Sequence, residues 1–183
     1  MTTYVGLVRA INVGGHNRVA MSALRDLMTR LDFADGRTLL QSGNIVFRSA
    51  ARSTAALERR LEAGTAGQLD LRAEWFVRSA TEWQAIMVAN PFPEQARRDP
   101  ARLIVMLLKK APTASDVAAL RKAITGPETV HATGTHAYLT YPTGIGTSRL
   151  TTALLESRLG TRGTARNWNT VRRLAALTAD ADR

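Results

Sequence analysis

The chain of 183 residues contains no cysteine. That excludes a disulfide framework, a thiolate metal site and a cysteine nucleophile together, and it fits a reducing compartment. Histidine is nearly as scarce. His16, His131 and His136 show neither H-x-x-x-H spacing nor a carboxylate at ligand spacing on one helix, so no metal and no cofactor are expected. Aromatic residues make up only 5% of the chain, few for a protein that would stack bases. Lysine is confined to Lys109, Lys110 and Lys122, which leaves the positive charge to arginine. With abundant alanine, this accords with the codon bias of a GC-rich genome. Long apolar runs are missing too. The first, in MTTYVGLVRAINVGG, is broken by Arg9 and Asn12, too soon for a signal peptide or a membrane span. A cytoplasmic protein with no membrane partner is the expectation.

What is present is a 45% hydrophobic content, enough to fill one large domain or two small ones, and a formal net charge of +10. Such a charge raises the question of a polyanionic partner. Its distribution is uneven. Residues 1 to 91 carry net +3 and residues 92 to 183 net +7, and between residues 149 and 173 six arginines (Arg149, Arg158, Arg162, Arg166, Arg172, Arg173) face Glu156 alone.

YVGLVRAI (4 to 11) is a short, nearly continuous apolar run, as expected of a central strand. Ser22 is positioned to cap a helix over 23 to 33, with Leu24, Leu27, Met28 and Leu31 on one face. RTLLQ (37 to 41) and NIVFRS (44 to 49) read as antiparallel strands joined by a tight turn at Ser42 and Gly43. Ser53 caps a second helix carrying Leu57 and Leu61 inward and ending in AGTAGQ, and RAEWFVRS closes the set as a strand. A short helix (81 to 89) then runs into NPFPEQARRDP, where three prolines place a linker. Beyond it, RLIVMLLKK (102 to 110) is a strand, a helix follows from Ala114 to Ile124 after Ser115 and Asp116, and ETVHAT (128 to 133) and HAYLTYP (136 to 142) form a hairpin around Gly134. Ser148 caps a helix bearing Leu150, Leu154, Leu155 and Leu159. GTRGTARNW extends, and a last helix carries Trp168, Val171, Leu174 and Leu177.

The second half thus repeats the order of the first, βαββαβ. That order predicts an α+β protein of two ferredoxin-like modules with antiparallel sheets, residues 1–79 and 102–183, joined by residues 80–101 and ending in a C-terminal helix. One continuous sheet shared by both halves is the alternative topology.

In such a module the third strand lies beside the first, so Ser42, Gly43 and Asn44 fall near Asn12, Gly14, Gly15 and His16. By the same logic Lys109 and Lys110 fall near Thr133, Gly134, Thr135 and His136. Gly14 and Gly15 ahead of a helix are able to present amides to an anion, with Arg9 or His16 adding charge. They lack the G-x-G-x-x-G and G-x-x-x-x-G-K-[ST] spacings, and turn glycines are the plainer reading. GIGTS (144 to 148) is equally ambiguous. Ser42 in QSGN is not a nucleophile elbow, and it is read as a turn serine. Trp168 reads as a core anchor, and Asn167 or Asn169 as the cap of the last helix. Arg162 and Arg166 precede that helix, where a cation opposes the helix dipole. That misplacement points to an anion held by arginine forks.

LVRAINVGGHNRVAMSALRDLMTRLDF, TLLQSGNIVFRS, ANPF and GTARNWNTVRRL, in that order, resemble the bacterial family known as domain of unknown function 1697. The resemblance spans almost the whole chain. It implies two ferredoxin-like modules and brings no established biochemical role. Where the family's strand usually reads arginine-glycine-isoleucine-asparagine, this chain has Arg9, Ala10, Ile11 and Asn12, and Ala165 replaces a usual threonine. Ala10 argues against close backbone approach of a ligand there.

Three functions follow as expectations. The first is binding of an anionic ligand, a phosphorylated metabolite or nucleic acid, by the basic C-terminal module. The second is an enzyme with a polar cleft between the modules, and the third is a structural or interaction protein of open oligomeric state. The ligand-binding candidates are Arg9, Asn12, Gly14, Gly15, His16, Ser42, Asn44, Arg166, Asn167 and Asn169.

Overall fold

The computed structural model describes residues 1–9, 11–12 and 18–181. Six elements build the first sheet and its helices: β1 (Thr2–Val8), α1 (Met21–Arg30), β2 (Ala34–Leu39), β3 (Asn44–Ser49), α2 (Thr54–Leu69) and β4 (Trp75–Ser79). The strand order is β2-β3-β1-β4, every pair antiparallel. After α3 (Ala80–Val88), α4 (Pro93–Arg98) and a 3-10 turn (Pro100–Arg102), the pattern recurs. It comprises β5 (Leu103–Leu108), α5 (Ala114–Ala123), β6 (Thr129–Thr133), β7 (His136–Thr140), α6 (Thr152–Leu159) and β8 (Gly163–Asn167), with strand order β6-β7-β5-β8. α7 (Trp168–Ala181) ends the described chain. Two separate four-stranded ferredoxin-like sheets are present, not one continuous sheet. The chain divides into two compact units, residues 1–85 with 173–183, and residues 86–172.

Pleat alternation sorts each sheet into two faces. In the first module Tyr4, Val8, Ile45, Phe47, Trp75 and Val77 meet Leu24, Leu27 and Met28 of α1 and Leu57 and Leu61 of α2. In the second, Ile104, Met106, Leu108, Ala137 and Leu139 meet Leu120 of α5 and Leu155 and Leu159 of α6. The opposite faces are also closed to solvent: Val5, Leu7, Val46 and Phe76 are at most 1% exposed, and Leu103, Val105, Leu107 and Tyr138 at most 2%. Both outer edges nearest the helices are covered by carboxylates. Glu62 and Glu58 accept from the amides of Trp75 and Val77 on β4 (3.0 and 2.8 Å), and Glu156 accepts from Gly163 on β8 (2.9 Å). Side chains thereby satisfy amides that an edge strand would otherwise present to another chain.

Several local expectations are corrected. α1 starts at Met21 after Ala20, with no side-chain cap, so Ser22 lies inside the helix. Ser53 does cap α2, accepting from Ala56 at 3.2 Å, but the helix runs through Gly64 and Gly67 to Leu69 and ends on Asp70 in the left-handed region. Tertiary packing overrides glycine's low propensity, because a Cβ at Gly64 would lie 2.8 Å from Leu31 Cδ1. The proline-rich linker contains α4, which Pro93 opens from the first turn, where its missing N–H costs nothing. Thr113, not Ser115, caps α5, in a reciprocal capping box with Asp116. Thr151 caps α6, accepting from Leu154 at 3.2 Å, so Ser148 lies outside that helix. Among the described residues no helix is long and apolar enough to cross a membrane.

Candidate ligand cavity in the second module

The first polar cluster lies at one end of the first sheet. The register Leu7↔Asn44 sets the end of β1 beside the start of β3, as topology required. The side chains collected there are engaged in holding the turns. Asn44 is fully buried and donates to Leu39 O and Ser42 Oγ, both at 2.9 Å. Asn12, in the left-handed region at φ 54°, donates to Val19 O (3.0 Å) and Gln41 O (2.7 Å) and accepts from Val19 N (2.9 Å). Gly43, at φ 71°, leaves room for Ile11, whose Cδ1 a Cβ would meet at 2.7 Å. Arg9 pairs with Glu74 at 3.5 Å. Gly14, Gly15 and His16 lie outside the described residues.

The arginine-rich stretch resolves into a strand, a cap and a helix. Arg166 pairs with Val105 across β5 and β8, and its guanidinium donates to Thr164 Oγ1 (3.0 Å) and Ala165 O (2.8 Å). Burial pulls its pKa down to about 10, so it remains charged at neutral pH. Asn167 is the cap of α7, its Oδ1 accepting from Thr170 N at 3.0 Å, while Asn169 is exposed on the first turn. Trp168 is 6% exposed, the core anchor that its spacing with Val171 and Leu174 implied. Arg162 lies 4.0 Å from Glu156, and Arg172 and Arg173 are exposed. Alternation along β8 turns Ala165 toward the helices, where it packs on the core, and Arg166 toward the other face.

On the helix side of that strand lies a feature that residue spacing did not announce, a cavity of about 400 Å³. Its floor is apolar: Ile104, Leu139, Leu155 and Ala165. The rim is hydroxyl-rich, with Tyr141, Ser148, Thr151 and Thr152, and Arg166 and Asn167 of β8 line one side. Ile145, 51% exposed, stands at the mouth in a 3-10 turn (Ile145–Thr147) next to Gly144 at φ 97°. Two of the hydroxyls are committed. Tyr141 donates to Leu150 O at 3.0 Å, and its pKa is pushed up to about 12, first by burial and then by the charge of Glu128. Ser148 donates to Glu128 Oε1 and accepts from Leu150 N at 3.0 Å.

The α6 end of the cavity is different in character. Thr151 Oγ1 takes the amide of Leu154 and its carbonyl takes that of Leu155, leaving the amide of Thr152, which lines the cavity, and that of the exposed Ala153 beside it without a partner among the described residues. The hydroxyl protons of Thr151 and Thr152 and the amide hydrogens of Asn167 add to them. This end is rich in donors and sits at the positive end of the helix dipole. No group of three or more metal-ligating side chains occurs among the described residues.

Comparison with known proteins places the architecture without adding chemistry. The family model described as protein of unknown function (DUF1697) matches residues 1–138. A solved structure of a conserved bacterial protein from Streptococcus pneumoniae is 25% identical, with a TM-score of 0.74 over 97% of this chain and 98% of that one. No curated protein matches the chain.

Proposed function

The chain belongs to the DUF1697 family, which carries no assigned activity, and from the geometry we propose that its second module binds a small molecule with an apolar body and an anionic head. The observation that carries this reading is the 400 Å³ cavity, whose apolar floor meets a donor-rich helix start. Ligand pockets have this composition: mostly apolar lining with a few convergent polar groups. A cavity of about 150 Å³ accommodates benzene, so this one has room for a fused ring or a medium-length chain. The head group receives hydrogen bonds from the first turn of α6, where negative charge is favoured.

A small molecule is favoured over nucleic acid by the burial of the sheets. Ferredoxin-like RNA readers stack bases on aromatic side chains of the open sheet face, whereas here Val105, Leu107 and Tyr138 on that face are buried. We also place the protein in the cytoplasm, a reducing compartment that a cysteine-free chain fits.

The test is saturation-transfer NMR with medium-chain and aromatic carboxylates and their phosphate analogues, on the native protein and on Ala165→Phe. Saturable binding that weakens with salt and disappears when the phenyl ring fills the cavity is the expected result. Equal binding to the filled variant overturns the proposal.

A further inference from the structure

A second cavity, of about 290 Å³, lies on the other side of Ser148 and Leu150, which line both. Glu128 lines it, and the Glu128–Ser148 hydrogen bond forms part of the partition. In a chain of 25 basic residues, this half-buried carboxylate has no cationic side chain within ion-pair distance among the described residues. Its partner is a neutral serine hydroxyl. Arg149 lines the same cavity but makes no ion pair with it. Gly126 leaves space for the second carboxylate oxygen, since a Cβ there would collide with Oε2. The negative field of Glu128 also reaches the wall of the larger cavity, where it helps to keep the Tyr141 phenol protonated.

We propose that Glu128 is the recognition group for a protonated amine: the ligand of the larger cavity is zwitterionic, and its ammonium takes the Glu128 carboxylate in place of the Ser148 hydroxyl. This rests on the small-molecule reading of the cavity and adds to it a pole of opposite sign. The anionic head lies at the start of α6, the apolar body on Leu139, Leu155 and Ala165, and the ammonium at the partition. The bond from the Ser148 hydroxyl has one ionised partner, and an ammonium in its place adds the attraction of a second, opposite charge. Partial exposure screens the pair, so the amine is expected to strengthen binding about tenfold and not more.

The experiment is calorimetric titration of the native protein with ω-amino carboxylates of graded chain length and with the parent carboxylates, repeated on Glu128→Gln and Ser148→Ala. Glu128→Gln keeps an acceptor for Ser148 and removes only the charge. Tighter binding of an amino carboxylate than of its parent, lost in Glu128→Gln and increased in Ser148→Ala, supports the inference. Parents and amino carboxylates that bind equally in all three proteins overturn it while leaving the cavity reading intact. Binding of neither class overturns both. Circular dichroism of each variant shows whether it folds, and if Glu128→Gln does not, the Ser148→Ala series alone decides by the sign of its change.

Discussion

Asn12 is the residue for which a binding role and a structural role make opposite predictions. Its side chain makes three hydrogen bonds, to Val19 O, Gln41 O and Val19 N, from a backbone held at φ 54°. Each such bond contributes about 0.5–1.5 kcal/mol net, and a residue other than glycine or asparagine loses roughly 1–2 kcal/mol in the left-handed region. Half exposure pulls the sum toward the low end, so Asn12→Ala is expected to destabilise by about 3 kcal/mol. Asn12→Gly removes the same bonds but accepts the backbone angle, and about 2 kcal/mol is expected. Asn12→Asp keeps the acceptor for Val19 N and turns a carboxylate oxygen onto two carbonyls, so it should be no milder than alanine. Urea unfolding of the three variants gives the values, and a Tm lower by about 6–12 °C for Asn12→Ala is the thermal counterpart, at about 2–4 °C per kcal/mol for a chain of this size. An Asn12→Ala loss under about 0.5 kcal/mol, or no difference between alanine and glycine, would show the clamp argument to be wrong.

Two glycines of α2 form a matched pair: Gly67→Ala, with nothing within 4 Å, should stabilise by roughly 0.5–1 kcal/mol, whereas Gly64→Ala meets Leu31 and Leu27 and should come out neutral to about 2 kcal/mol destabilised. Equal stabilisation by both, in denaturant melts, would disprove the close approach of α1 and α2. Tyr138 and Tyr141 have pKa values raised from 10.0 to about 12 by burial. The unfolded chain therefore ionises first, and the stability they contribute, complete below pH 10, is lost as pH rises toward 12. Arg166, lowered from 12.5 to about 10, acts in the opposite direction over the same window, one group against two. Phenolate absorbance should show two late tyrosines and Tyr141→Phe a smaller alkaline loss. Asp116, held below its usual 3.8 by hydrogen bonds from Thr113, contributes stability that is present above pH 3.8 and lost as pH falls through its lower folded value. Asp116→Asn should flatten that part of the acid limb in pH-dependent melts.

Periodicity made much of this molecule legible. Leu24, Leu27 and Met28, or Leu155 and Leu159, recur at helical spacing because one face must be buried, and LIVMLL of β5 is continuously apolar because both faces are. Gly43 and Gly134 marked turns because their backbones take positive φ, 71° and 51°. Caps were harder to read. Ser22, Ser115 and Ser148 each stand within a few residues of a helix start, but the capping oxygen of α5 belongs to Thr113 and that of α6 to Thr151, and α1 uses none. Serine and threonine carry the same hydroxyl, and only the path of the chain selects which one faces the amide. Of the candidate site residues, Arg9, Asn12, Ser42 and Asn44 collect at one sheet end, as topology implied. Their partners, Glu74, Val19, Gln41 and Leu39, were not predictable, since each is a backbone or side-chain group brought in by a turn.

The amino-acid sequence by itself determined the repeated βαββαβ order and the apolar residues that fill the strands and helices, because hydrophobic period and turn chemistry act over a few residues at a time; the division into two sheets instead of one was decided by the tertiary structure. The cavity, the bond between Glu128 and Ser148 and the donor-rich start of α6 were decided by the tertiary structure. They join residues from β5, β7, β8 and the loop before α6, and no local rule says how far a sheet and a helix start will stand apart once both have packed.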